Sequence, residues 1–213
     1  MRFVVRMVSA AIPGRQSLGG LMALLFAGVL AMPADAGDKR SAKTFQVQPE
    51  DLDCIVGWQQ VRNFRITNVL GKNKLKKAIK VAERQRGRYP VGTIIQLIPF
   101  EVMVKHRRKF SPETSGWEFL TLQGFSSFQL DIDPATGNPI IDAQGTTEVT
   151  NFFNGNRFGC HSKADEQFDL VCERNHGCDS LGPLLSGLSA EQFTNLALAT
   201  DPRCAELAAA GGE

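Results

Sequence analysis

Between residues 93 and 122 the chain carries three short apolar runs that fit one kind of secondary structure. Thr93-Ile94-Ile95-Gln96-Leu97-Ile98 is rich in β-branched residues, Pro99 interrupts it, and Glu101-Val102-Met103-Val104-Lys105 continues. After the loop Ser111-Pro112-Glu113-Thr114-Ser115-Gly116 comes Trp117-Glu118-Phe119-Leu120-Thr121-Leu122. Runs of this length and composition read as strands. Phe125, Phe128, Leu130 and Ile132 sit in a further strand-like stretch, Asp133 to Pro139 is a turn cluster, and 146–153 is β-prone. Helical signals flank this centre. Leu75, Ala78, Ile79 and Ala82 recur at helical spacing in a lysine-rich run and predict a helix over 74–84, closed by a turn at 87–92. Ser189-x-x-Gln192 is a capping box, predicting a helix over 190–200 with Phe193, Leu196 and Ala197 inward. The fold class is therefore α+β, a central antiparallel sheet with short helices at both ends.

The first 36 residues read as a secretory signal: Arg2, Arg6 and Arg15, an apolar run over 18–32, then Pro33-Ala34-Asp35-Ala36. Cleavage there leaves 177 residues, a polar flexible lead-in over 37–50 and a single domain over 51–213 with a real core. Nothing after residue 37 is apolar enough to cross a bilayer. The expected location is periplasmic or secreted. Without the signal the formal charge of +2 falls to zero, with 21 basic and 21 acidic residues. That neutrality hides a segregation, because residues 72–109 hold twelve Lys/Arg against only Glu83 and Glu101. An exported chain makes nucleic acid a poor partner. The tract reads as a solvated amphipathic helix or, more sharply, as a docking face for an acidic redox partner.

Export also permits disulfides. The cysteines are 54, 160, 172, 178 and 204, an odd number. Cys172 and Cys178 can form a local bridge if the chain turns back at Asn175-His176-Gly177. Cys54 and Cys204 lie near the two ends of the domain. Cys160 is then either bonded to something other than cysteine or a free thiol. A zinc cluster from Cys160, His161, Cys172, His176 and Cys178 ranks below these readings, since the spacing contains no C-x-x-C pair.

Cys160-His161 is the second half of C-x-x-C-H, in which thiols add to haem vinyl groups and the imidazole binds iron. Arg157 stands where the first cysteine belongs. Alone the dipeptide is weak. Its surroundings carry more: Tyr89-Pro90-Val91-Gly92-Thr93-Ile94-Ile95, then Ser115-Gly116-Trp117-Glu118-Phe119, then Gly159-Cys160-His161. In that order these segments resemble the cytochrome P-460 family over roughly residues 85–170. The resemblance implies a mainly antiparallel fold and an exported haem c protein in which Cys160 forms the thioether and His161 is the axial iron ligand. It further implies electron transfer or the binding of a small gas or nitrogen oxide. Two departures stand out. Arg157 limits attachment to one thioether, and Gln96 and Leu97 stand where the macrocycle-linking lysine of catalytic members would fall, with no lysine before Lys105. Hydroxylamine oxidation is not expected. Arg157 is either a haem-propionate partner or, in a haem-free domain, a surface arginine. Of the other ligand candidates, His106 reads as part of a solvated basic face, His176 as part of a small disulfide loop, and Met103 as core. The competing expectation is a haem-free, disulfide-stabilised periplasmic binding or interaction domain. There is no G-x-S-x-G, and Asp131 and Asp133 read as turn residues.

Overall fold

The computed structural model describes residues 45–205, except 63, 99, 125–128, 152–153, 174 and 179–188. The expected signal segment and residues 37–44 lie outside the described residues, as do Phe125 and Phe128. Among the described residues, six strands form one antiparallel sheet in sequence order: β1 Gln59–Val61, β2 Phe64–Asn68, β3 Thr93–Ile98, β4 Glu101–Lys105, β5 Trp117–Leu122 and β6 Ile141–Gly145. Helix α1 (Lys72–Arg84) fills the β2–β3 connection, α2 (Arg157–His161) follows β6, and α3 (Ala190–Thr200) lies near the C-terminus. The α+β class holds.

The register sets which residues share a face, because successive side chains on a strand point to opposite sides. Met103 pairs with Phe119 and Lys105 with Trp117, whereas Val104 pairs with Glu118 and Val102 with Leu120. One face therefore presents Ile66, Ile95, Met103, Trp117 and Phe119, packed under Ala78 and Ala82 of α1 and under Phe158, Leu170 and Val171. The other presents Ile94, Val102, Val104, Leu120 and Leu122, covered by Phe45, Val47, Leu52, Ile55 and Trp58 from the N-terminal side and Ala197 of α3. A Cys54–Cys204 disulfide ties these covering segments together. Packing thus begins before the expected boundary at 51: Phe45 and Val47 are buried because the opposite face of the sheet needs an apolar cover.

Local chemistry explains the helix limits. Gly71 precedes α1, and Gln85 closes it in a left-handed conformation at φ 51°. The lysines Lys76, Lys77 and Lys80 face solvent, the amphipathic arrangement that the sequence predicts. For α3 the capping box forms in both directions, with Ser189 Oγ accepting from Gln192 N–H. Ala197 points inward, but Leu196 is 37 % exposed, so it does not join the core as expected. Asp133 accepts from Ala135 N–H and Thr136 Oγ, as a turn aspartate does. Among the described residues no helix is long and apolar enough to cross a membrane.

Candidate functional site

Strand β4 carries opposite charges at its two ends on one face, Glu101 and Lys105, with Met103 between them. Residues 157–171 return to that face with the complementary charges. Arg157 lies over the Phe119 ring with its guanidinium carbon 5.4 Å from the centroid. Its Nη1 donates to the Leu120 carbonyl, and its Nη2 is 3.9 Å from Glu101 Oε2. At the other end Lys105 Nζ lies 2.7 Å from Asp169 Oδ2 and 2.8 Å from Oδ1. Lys105 also donates to the Ser115 carbonyl at 2.9 Å and sits 4.7 Å from the Trp117 ring centroid. His161 packs on the same face, its ring 5.2 Å from that of Phe119.

The one-turn helix α2 starts where Asn156 supplies a cap. Its side-chain oxygen accepts from Gly159 N–H at 2.6 Å while its amide donates to the Thr147 carbonyl at 2.6 Å. Positions 157, 160 and 161 stand three and four residues apart and share one helix face. Arg157 is thereby driven into the sheet, at 3 % exposure. This corrects the surface-arginine reading: the side chain packs on the Phe119 ring and donates to the Leu120 carbonyl of β5, which leaves it no route to water. Its Nε is buried without a hydrogen-bond partner. Burial lowers the guanidinium pKa, and the Glu101 carboxylate opposes that effect. Burial also raises Glu101, against the pull of Arg157.

Cys160 is the free cysteine, half-buried, and the other four pair as Cys54–Cys204 and Cys172–Cys178. His161 Nδ1 lies 2.9 Å from the Leu170 carbonyl. A carbonyl only accepts, so the proton is on Nδ1 and Nε2 keeps its lone pair. Burial pushes this imidazole down to about 4, the neighbouring Arg157 charge pushes the same way, and the Leu170 hydrogen bond opposes both. At neutral pH His161 is the neutral imidazole that binds metals.

The remaining candidates separate from this cluster. His106 is 5 % exposed and not part of a solvated basic face. It stacks between Phe45 at 5.0 Å and Phe110 at 4.1 Å, and its Nε2 meets Glu118 Oε2 at 2.7 Å. Strand alternation explains the error: Lys105 points to one face, so His106 turns to the other, while Arg107, Arg108 and Lys109 remain exposed. His176 lies inside the Cys172–Cys178 loop, stacked on Phe168 at 3.7 Å, with Nδ1 at 2.7 Å from the Val171 carbonyl. Gly177 there adopts φ 88°, and a Cβ would come within 2.7 Å of the Lys163 carbonyl, so the loop packs too closely for another residue. Met103 is buried in the core. The zinc cluster does not form. Cys172 and Cys178 are consumed by their disulfide, and no group of three or more ligating side chains occurs among the described residues.

Sequence reasoning missed Asp169 entirely. It is 64 residues from Lys105, and only its place before the Leu170-Val171-Cys172 run hinted at burial. Taken together, the fold and site define a six-stranded antiparallel meander with a histidine–thiol pair on one charged face. Neither protein-family models, curated proteins nor solved structures offer a match to this chain.

Proposed function

We propose that this is an exported cytochrome P-460-like protein that binds one haem c through Cys160, with His161 as axial ligand, and serves electron transfer or the binding of a small nitrogen oxide. The observation that carries the reading is the state of His161. Its Nδ1 is committed to the Leu170 carbonyl, which leaves Nε2 as the donor nitrogen, the arrangement in which a second partner orients a metal-binding imidazole. Three features of the donor set support it. Cys160 is unpaired beside that imidazole, the other cysteines are occupied, and Arg157 offers a buried Nε without a partner, a fitting donor to a propionate carboxylate. The haem, when bound, would supply an iron centre for one-electron transfer or ligand coordination. The chain's own contribution is to hold the imidazole neutral, to set its tautomer, and to shield the site with Phe119 and Phe158. The exposed lysines of α1 supply a face for an acidic redox partner, with association slowed by salt.

Two disulfides and the signal-like N-terminus support a periplasmic or secreted location. A second reading, a haem-free binding or interaction domain on the same scaffold, is favoured by one observation: the Arg157 guanidinium packs on Phe119 and Leu120 where a second thioether cysteine would stand. The visible spectrum of protein made in a host with haem-maturation machinery separates the two. A Soret band that survives acid–acetone extraction supports haem c; colourless protein supports the bare scaffold.

A further inference from the structure

The backbone at 169–170 is unusual, and its surroundings say why. Asp169 and Leu170 are consecutive non-glycine residues at φ 51° and 62°. Such left-handed conformations cost free energy and persist where the surroundings over-determine them. Three buried donors do so here. Lys105 Nζ reaches both carboxylate oxygens of Asp169, Tyr89 N–H donates to Oδ2 at 2.9 Å, and Trp117 Nε1 donates to the Asp169 carbonyl at 2.6 Å. With Asp169 pinned at side chain and main chain, the next carbonyl, Leu170, is turned toward His161 Nδ1 and the one after, Val171, toward His176 Nδ1.

We infer that the buried Lys105–Asp169 pair is a positioning pair for His161: by fixing the 169–170 backbone it aims the Leu170 carbonyl, and that carbonyl holds the imidazole proton on Nδ1. Lys105 and Asp169 do not touch the imidazole; they act through one peptide unit. Of the other charges near the site, Arg88 and Arg108 act on the Lys105–Asp169 pair itself, while Arg157 on α2 and Glu101 on β4 lie at the opposite end of Met103. The pair is expensive in isolation, since each ion gives up hydration and hydrophobic replacements often match such pairs in stability. Positioning supplies a reason for keeping it. Its use in haem ligation rests on the proposed function; the location of the proton does not.

The test therefore uses the full haem-free chain. Long-range ¹H–¹⁵N correlation at neutral pH on histidine-labelled protein reports the tautomer from the separation of the two ring nitrogens. The wild type should show a single Nδ1–H tautomer at His161. The double variant K105M/D169L removes both charges without stranding either ion, though it also takes the acceptor from Tyr89 N–H, and there the two nitrogen resonances should converge as the tautomers mix. K105R retains the cation and should keep the single tautomer. If the double variant does not fold, W117F decides: it removes the indole donor to the Asp169 carbonyl, together with part of the ring beside Lys105 Nζ, while keeping both charges, and carries the same expected convergence. A wild-type Nε2–H tautomer overturns the inference, and so does a folded K105M/D169L or W117F protein with the ring nitrogens unchanged. A colourless protein that nevertheless shows the predicted tautomer pattern would remove the haem reading and leave the positioning pair standing.

Discussion

The two faces of the sheet bury polar groups for different ends. Under the chain termini, several buried polar groups fasten one segment to another. Arg65 donates to the Val56 and Trp58 carbonyls and to Thr194 of α3. Arg203 pairs with Asp201 at 2.6 Å and also donates to the Leu52 carbonyl. Glu118 receives both His106 and Gln144. The opposite face is organised otherwise. There Lys105 and Asp169 act on a turn, the turn acts on His161, and Arg157 retains an unpartnered nitrogen. The first face is a closure; the second ends at a side chain with a free lone pair beside a free thiol. Buried charge alone does not mark a site. The direction in which its hydrogen bonds lead does.

The largest effect expected is on the closure. The Cys54–Cys204 bridge spans 150 residues, and loop-closure entropy puts its contribution at about 5 kcal/mol, whereas the six-residue span of Cys172–Cys178 gives about 2 kcal/mol. Denaturant titration of the Cys54→Ala/Cys204→Ala and Cys172→Ala/Cys178→Ala variants should rank them in that order. Equal losses would break the contrast between the faces. Next, Lys105→Met alone strands the Asp169 carboxylate in the interior and should cost about 3–5 kcal/mol; the second change Asp169→Leu restores only part of it, because Tyr89 N–H then loses its acceptor and Leu must take φ 51°. A double-mutant cycle showing simple additivity would mean that the two side chains act separately.

The charged face also predicts a pH dependence in the haem-free protein. His161 titrates near 4 when folded against 6.5 unfolded, so between those values the unfolded chain binds more protons. Its contribution is intact above about pH 6.5 and is lost as pH falls toward 4, at most about 3 kcal/mol. Glu101 and Asp169, raised by burial, act with the opposite sign on acidification, so the difference between wild type and His161→Gln isolates the histidine. Two proteins with parallel stability profiles over that range would contradict the burial of this ring. The smallest effect belongs to the α3 cap: Ser189→Ala should cost about 1 kcal/mol in thermal denaturation and leave the spectrum unchanged.

The sequence was most legible where periodicity and local caps decide structure. Strands β3 to β5, helix α1 and the capped α3 follow from patterns within a few residues. Strands β1, β2 and β6 escaped: Gln59-Gln60-Val61 and Ile141-Asp142-Ala143-Gln144-Gly145 are short, polar edge strands with little apolar signal, and the five residues Phe64–Asn68 mix apolar with polar ones. Phe45 and Val47 looked like lead-in because only the far face of the sheet makes them core. At the site, the adjacency of Cys160 and His161 was visible. The partners that determine their chemistry were not: Leu170 for His161, Asp169 for Lys105, and Leu120 for Arg157 are brought together only by the tertiary fold. His106 shows the same limit from the other side. Its charged neighbours suggested solvent, and a carboxylate one strand away placed it in the interior.

Intact-mass analysis of protein produced alongside haem-maturation machinery is the sharpest test of covalent haem binding. Attachment through Cys160 gives a wild-type mass raised by one covalently held haem, an increment absent from Cys160→Ser. A wild-type mass equal to that of the bare processed chain with two disulfides, obtained in a host that matures a control haem c protein, would contradict it.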